Sequence, residues 1–334
     1  MKHIGKARAY TNIALIKYWG KKDEQLILPM NSSLSLTLDA FYTETEVTFD
    51  PALSQDCFYL NDRLQNKEQT KKISKFLTIF RNKYSISHYA SVDSRNFVPT
   101  AAGLASSASG LAALAGACSA ALSLELSPQE LSKLARRGSG SACRSIFGGF
   151  AEWRKGDSDD TSFAVQVPAS SWENELSMLF ILVNDTQKDV SSRDGMKRTV
   201  DTSIFYQGWL TGAADDLELA KQAIAENNFS ALGEVAESNA LRMHGTTLGA
   251  VPPFTYWSPD SLKAMNLVRS CRMRGIPCYF TMDAGPNVKV LVQKKDQEKL
   301  YHFFSEHFNE KQLILANTGP GLEILKPERL MDND

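Results

Sequence analysis

Between residues 99 and 108 the chain reads Pro99-Thr100-Ala101-Ala102-Gly103-Leu104-Ala105-Ser106-Ser107-Ala108, and a run of alanine, glycine, serine and leucine continues to about residue 121. A helix over 106 to 121 has almost no polar face, so it must lie buried with other backbone close against it. Its entry is as specific as its body. Pro99 keeps the residues before it extended, Gly103 lets backbone approach a ligand, and the helix opening at Ser106 aims unpaired N–H groups and a positive dipole end outward. Two readings fit these residues: a phosphate cradle, or an ordinary serine cap on a core helix.

Length and charge narrow the classes. A chain of 334 residues with 43% hydrophobic content is sized for two domains with packed cores. With 37 basic and 38 acidic side chains the net charge is −1, which gives no global attraction to nucleic acid, so any anion must be met by a local cluster. No apolar run reaches the ~18 residues of a membrane span, and the opening Met1-Lys2-His3-Ile4-Gly5-Lys6 lacks a signal-peptide core, so the cytoplasm is expected. The five cysteines (57, 118, 143, 271, 278) form no close pair and the five histidines no metal spacing, which predicts reduced thiols and no structural zinc.

The pattern along the chain predicts an α+β protein. Residues 34 to 50 alternate as a strand, a helix covers 66 to 82, and the alanine-rich helix follows. Ser127-Pro128-Gln129-Glu130 opens the next helix as a capping box, and Gly138 ends it. Phe150 to Trp153 and the apolar stretch 178 to 183 read as strands. Beyond them helical patterns run over 196 to 211, 214 to 226, 229 to 243 and 259 to 274, the last capped by Ser258-Pro259. Residues 278 to 282 and 288 to 292 read as two strands joined at a glycine turn. Two α+β domains, 1–184 and 185–334, are expected side by side.

Three further blocks carry chemistry. Asp283 follows an apolar strand in Met282-Asp283-Ala284-Gly285-Pro286-Asn287, a position that suits either a rigidly held carboxylate or a turn aspartate. Lys17, Lys21 and Lys22 surround Tyr18-Trp19; if the segment is a strand, Lys17, Trp19 and Lys21 share a side and offer two ammonium groups to one pocket. Arg144 follows Gly138-Ser139-Gly140-Ser141-Ala142-Cys143, where a guanidinium beside backbone N–H groups suits bidentate contact with a diphosphate, or else a surface ion pair. Lys188 to Met196 reads as a polar loop entering a helix.

The segment from Pro99 to Ala108 resembles the second motif of the galactokinase, homoserine kinase, mevalonate kinase and phosphomevalonate kinase superfamily. Together with the blocks at 10 to 21, 138 to 145 and 282 to 287, in that order, it resembles the mevalonate diphosphate decarboxylase family over nearly the whole chain. The resemblance implies the superfamily's two-domain GHMP-kinase-like fold, with an active-site cleft between the halves. It implies ATP-dependent decarboxylation of mevalonate diphosphate, with Mg²⁺ on the nucleotide phosphates and a homodimeric assembly. Asp283 then orients or deprotonates a tertiary hydroxyl, and Lys17 lies beside it and the reacting phosphate. Substrate falls to Ala14, Tyr18, Trp19, Gly20, Lys21, Ser139, Gly140, Ser141, Ala142, Cys143, Arg144, Ser192 and Arg193. Nucleotide falls to Asn96, Gly103, Leu104, Ala105, Ser106, Ser107, Ala108 and Lys188, with Ser106 and Ser107 as candidate metal ligands. Cys143 departs from the expected serine at little cost in size.

No P-loop, protein-kinase triplet or histidine-bearing hydrolase motif is present. A pyridoxal enzyme could use Lys17, but a hydroxyl-rich loop with two more anion sites fits a nucleotide and a diphosphate better. A kinase that stops at the phosphorylated alcohol and a noncatalytic nucleotide-binding paralogue are the competing readings. The helix entry can be tested directly. A cap serine changed to alanine costs ~1 kcal/mol and leaves catalysis by the folded protein intact. Ser106→Ala and Ser107→Ala are expected instead to impair ATP use more than thermal stability, as measured by ATP kinetics and melting on the same preparations; destabilised protein with normal ATP kinetics would return both serines to capping.

Overall fold

The structure is a computed structural model and describes residues 2–97, 106–183 and 189–327. The strand β1 (His3–Ile16) leads through a short hairpin, β2 (Lys21–Asp23) and β3 (Leu28–Pro29), into the long β4 (Ser33–Asp50). Then come β5 (Cys57–Leu60), β6 (Arg63–Leu64), α1 (Lys67–Tyr84), β7 (Tyr89–Phe97), α2 (Ser106–Ala121) and α3 (Pro128–Gly138). A 3₁₀ turn over Gly140–Ile146 precedes β8 (Phe150–Arg154), β9 (Phe163–Gln166) and β10 (Leu176–Ile181). Four helices follow, α4 (Ser192–Thr202), α5 (Tyr206–Ala225), α6 (Phe229–Leu248) and α7 (Pro259–Met273). The chain closes with β11 (Cys278–Met282), β12 (Val288–Gln293), α8 (Gln297–Ser305), β13 (Leu313–Asn317) and β14 (Glu323–Leu325).

Two main sheets organise these elements. The larger has the order β14-β1-β4-β7-β5-β6, and β8 and β9 branch from β4. The branching follows from the length of β4: its first residues pair with β8, Ser33 opposite Trp153, and its later ones with β7, Tyr42 opposite Phe97. The smaller sheet is antiparallel in the order β11-β12-β10-β13. Although β13 belongs to this second sheet, β14 returns to pair with β1, so the last described strand ties the two halves of the chain.

As its composition requires, α2 is buried, with Ala112, Ala113, Ala115, Ala117 and Cys118 fully enclosed against Ala7 and Ala9 of β1. Small residues on both partners let the backbones nearly touch. A Cβ on Gly5 would stand 2.2 Å from the Ala121 nitrogen and 2.5 Å from the Ala117 oxygen. The capping box at Ser127 and Glu130 forms in both directions, with Pro128 in the first turn of α3 and Gly138 as its last residue. Ser258 caps α7 in the same way with Ser261.

Helix boundaries before α6 differ from the sequence expectation. The break lies at 203 to 205 rather than near 212, because Tyr206, Trp209, Ala213, Leu217, Ala220 and Ile224 form one continuous buried face that carries α5 past Gly208 and Gly212. Moreover, α4 begins four residues early, where Ser191 accepts a hydrogen bond from the Asp194 N–H. Similarly, α6 runs on to Leu248. The stretch 17 to 20 is not a strand, since β1 stops at Ile16.

The contact of Gly5 with α2 sets a stability test. Gly5→Ala must push helix backbone off the sheet, and overpacking of this kind costs ~1–3 kcal/mol, with backbone contacts at the upper end. Chemical denaturation is expected to show a loss of about 2–3 kcal/mol with an unchanged m-value; a loss below about 0.5 would mean that α2 shifts freely on β1.

Candidate active site

At the end of β1 the chain turns inward, and Lys17 is 2% exposed. Its backbone is held from two sides. The Lys17 N–H donates to Asn239 Oδ1 of α6 at 2.8 Å, and Asn31 donates to the Lys17 carbonyl at 2.7 Å. Asn239 is fixed in turn by donating to Asp216 of α5, which also accepts from Arg242. The Lys17 ammonium donates to the Ala14 carbonyl and to Asp283 Oδ1, both at 2.7 Å. A lysine has three N–H donors, so one is left for a ligand.

Asp283 stands just past β11, where the sequence placed it. Gly285 N–H closes back on the Asp283 carbonyl at 2.7 Å, Ser261 donates to the Pro286 carbonyl, and Asn287 Oδ1 accepts from the Val183 N–H. The turn is therefore pinned to α7 and to the end of β10. Its carboxylate is gripped by two cations: Lys17 on Oδ1, and Lys289 of β12 at 3.0 Å from Oδ2. Burial pushes this carboxyl up, but the two ammonium groups outweigh it and hold it well below the usual carboxylate range. Burial also pulls the Lys17 ammonium down, against the pull of Asp283, to about 8.

Arg144 lies in the 3₁₀ turn and is 2% exposed. Its partners are neutral: Nε donates to Asn12 Oδ1 at 3.2 Å and Nη1 to Ser33 Oγ at 2.6 Å. Among the described residues it has no ion pair. A buried guanidinium without a carboxylate is expensive unless an anion arrives, and burial lowers its affinity for the proton. Asn12 also donates to the Ser141 carbonyl and to Ser145 Oγ, fixing the turn on β1. Gly140 is required there, since a Cβ would run into Trp153 and Tyr18. Ala142 and Cys143 are wholly buried, and the hydroxyls of Ser139 and Ser141 face each other at 3.4 Å.

The aromatic pair divides its work. Tyr18 packs on Trp153 at 4.7 Å between ring centres, and its buried hydroxyl has no partner among the described residues. Trp19 is 1% exposed in a cluster with Tyr206, Trp209, Tyr256, Ala284 and, from α4, Met196 and Val200. Gly20 has φ of +113°, and Tyr206 donates to the Trp19 carbonyl beside it. The ammonium of Lys21 goes to Glu24 at 2.6 Å, so the strand geometry that would have put it beside Lys17 is not the one adopted. Ser192 opens α4 half-buried, and Arg193 is exposed.

At the start of α2, Ser107 is exposed in the first turn and Ala108 is buried. No acidic residue occupies that turn, so the positive end of the helix is not neutralised by its own sequence. Asn96 accepts from Thr43, whose hydroxyl also meets Ser109 of α2 at 2.9 Å, which ties the end of β7 to this helix start. Gly103, Leu104, Ala105 and Lys188 lie outside the described residues, as does the side chain of Ser106. Sequence reasoning missed Lys289, a single charge inside Val288-Lys289-Val290-Leu291-Val292. It also missed Asn12, Ser33 and Asn239. The signal for Lys289 was present: a lone lysine in an apolar strand needs a buried anion.

Residues 9–164 match the family described as diphosphomevalonate decarboxylase-like N-terminal domain, and 178–324 match the mevalonate 5-diphosphate decarboxylase C-terminal domain. The chain belongs to the mevalonate diphosphate decarboxylase family. The diphosphomevalonate decarboxylase of Candida albicans is 34% identical over 316 residues, covering 90% of this chain and 87% of the relative. The mevalonate diphosphate decarboxylase of Enterococcus faecalis superposes with a TM-score of 0.94 at 66% identity, over 98% of this chain and all of the other. A structure of MDDEF in complex with MVAPP, AMPPCP and magnesium gives 0.95 at 68% identity, with the same coverage. The decarboxylase from Staphylococcus aureus gives 0.96 at 55%, over 98% of this chain and 99% of that one.

In this decarboxylase the depressed Lys17 sets a pH dependence. Its folded value lies below the ordinary 10.5, so the unfolded chain binds more protons between about 8 and 10.5, and this group's contribution to stability rises with pH across that window. For the free enzyme the consequence is loss of the cation beside Asp283 Oδ1. The kcat/KM for mevalonate diphosphate is expected to fall about tenfold per pH unit above a midpoint near 8, and Lys17→Arg is expected to carry that limb beyond pH 10. A limb that stays in place in the variant would belong to another group.

Proposed function

We propose that this chain catalyses ATP-dependent decarboxylation of mevalonate diphosphate to isopentenyl diphosphate, ADP, phosphate and CO₂. The observation that carries the reading is the set of three buried cations, Lys17, Lys289 and Arg144, against one carboxylate, Asp283. That surplus positive charge suits the binding of polyanions.

Arg144 and the turn at Ser139 to Cys143 bind the diphosphate, with Ala14, Tyr18, Trp19, Gly20 and Lys21 and, from α4, Ser192 and Arg193 around the rest of the substrate. Asn96, Gly103 to Ala108 and Lys188 bind ATP. Asp283 accepts a hydrogen bond from the tertiary hydroxyl and aims its oxygen at the γ-phosphoryl group. A carboxylate gripped by two ammonium groups is too weak a base to retain a proton, so its work is orientation. The hydroxyl proton passes to the transferred phosphoryl group. Once phosphorylated, the carbon–oxygen bond breaks with its electron pair on the departing phosphate, and the carbon–carboxylate bond supplies the pair for the new double bond as CO₂ leaves. Lys17, with one donor free, stabilises the charge that gathers on the leaving oxygen.

The donor set fits Mg²⁺ as a companion of ATP rather than a resident ion. Among the described residues no three carboxylates, histidines or cysteines converge, and Asp283 is committed to its lysines. Bound with ATP, the metal would supply charge neutralisation to the nucleotide, and Ser106 and Ser107 would be its protein ligands. The boundary near 184, a homodimeric state and cytoplasmic location belong to the same reading; among the described residues no helix is long and apolar enough to cross a membrane.

Incubation with ATP, Mg²⁺ and mevalonate diphosphate is expected to yield ADP and CO₂ in equal amounts, and Asp283→Asn to lower both by at least about 10²-fold while substrate still binds. ADP without CO₂ would make the protein a kinase. Variant turnover within a few-fold of the parent would remove Asp283 from the mechanism.

A further inference from the structure

Lys289 sits where a charge is costly. It occupies β12, an inner strand of the smaller sheet, opposite Phe180 of β10 and Thr281 of β11. The alternate residues Val288, Val290 and Val292 point into the core against α7 and α8, while Leu291, on the Lys289 side, joins the core between the sheets. At 4% exposure its ammonium has left water, and its carboxylate partner is Asp283 Oδ2. Burying such a group is tolerated only for a fixed partner.

The two lysines do not duplicate each other. Lys17 binds Oδ1 and the Ala14 carbonyl, and its remaining donor points to work on a ligand. A phosphate near Lys17 competes with Asp283 for that ammonium. With Lys17 as the sole partner, the carboxylate would lose its anchor and its counter-charge just when the substrate must be aligned. A second grip on the other oxygen removes that conflict. We propose that Lys289 is a positioning residue for the decarboxylation: it holds Oδ2 of Asp283, so that the carboxylate keeps one orientation and its charge while Lys17 engages phosphate.

This inference rests on the decarboxylase reading above. Among the described residues, the charged and titratable groups around the carboxylate are Lys17 just past β1, Lys289 from β12, Arg144 from the 3₁₀ turn and His244 from α6. Burial pushes His244 down to about 3, and it stays neutral between the Tyr256 and Trp257 rings. Removing Lys289 therefore removes one of two direct counter-charges, and the Asp283 carboxyl must rise toward its ordinary range.

The test compares Lys289→Met, Lys289→Gln and Lys289→Arg with the parent, following CO₂ and ADP release against pH. Met and Gln are expected to lower kcat by about 10 to 100-fold, the scale of a misplaced reacting group, with KM for both substrates within about threefold. Their acid limb of kcat is expected to lie at higher pH than the parent's, because the Asp283 carboxyl has lost one of its two counter-charges. Arg, which keeps the charge, is expected to restore most of kcat and the parental limb. Should Lys289→Met fail to fold, the Gln and Arg pair gives the same contrast. A Met or Gln variant with kcat within threefold and an unmoved acid limb would overturn the proposal, as would a loss confined to KM or an Arg variant no better than Gln. Parent protein that releases no CO₂ overturns the functional reading itself, whereas an active parent with indifferent variants overturns this inference alone.

Discussion

The carboxylate of Asp283 held between Lys17 and Lys289 is the contact on which the arrangement of the molecule depends. Lys17 directly follows the first strand of the large sheet, Asp283 directly follows β11 of the small one, and Lys289 lies in the adjoining β12. The ion triplet is thus a point where the two sheets meet. Its energy is a balance. Each ammonium pays a desolvation cost that its share of the carboxylate only partly offsets, and the group as a whole remains cationic. A folded protein keeps such an arrangement where an anionic ligand completes it.

Around this point, neutral groups do the positioning. Asn239 and Asn31 fix the Lys17 backbone, Asn12 and Ser33 hold the Arg144 guanidinium, and Ser261 and Asn287 pin the Asp283 turn. Each uses hydrogen bonds and adds no negative charge. Carboxylates in their places would have neutralised the cations and removed the net positive charge of the cluster. The one acidic member of the outer ring, Asp216, is already matched by Arg242.

Packing also fixes the start of α2. Because β1 and α2 present glycine and alanine to each other, the helix sits close on the sheet that also carries Lys17 and Asn12. The start of α2 is connected to β4 and β7 through Ser109, Thr43 and Asn96. The start of α2 and the chain leading to Lys17 are in this way held by one sheet.

The sequence by itself determined much of this. The small-residue run could only be a buried helix, the Ser127 and Ser258 caps fixed two helix starts to the residue, and Asp283 before Ala-Gly-Pro was bound to stand at a strand tip. These are local effects of side-chain size, hydrogen-bond reach and glycine and proline geometry. The break between α4 and α5 was not local: the face from Tyr206 to Ile224 carried the helix past glycines that on propensity alone would end it. Nor could spacing reveal that Lys17 would turn toward Asp283 while Lys21 turned to Glu24, since a chain leaving a strand has no fixed alternation. Lys289 as the second partner, Asn12 and Ser33 as neutral holders, and the return of β14 to β1 were decided by which strands lie side by side. The physical reason is that a buried charge is defined by its neighbours in space, and the residues that meet at this carboxylate are separated by up to 272 positions in the chain.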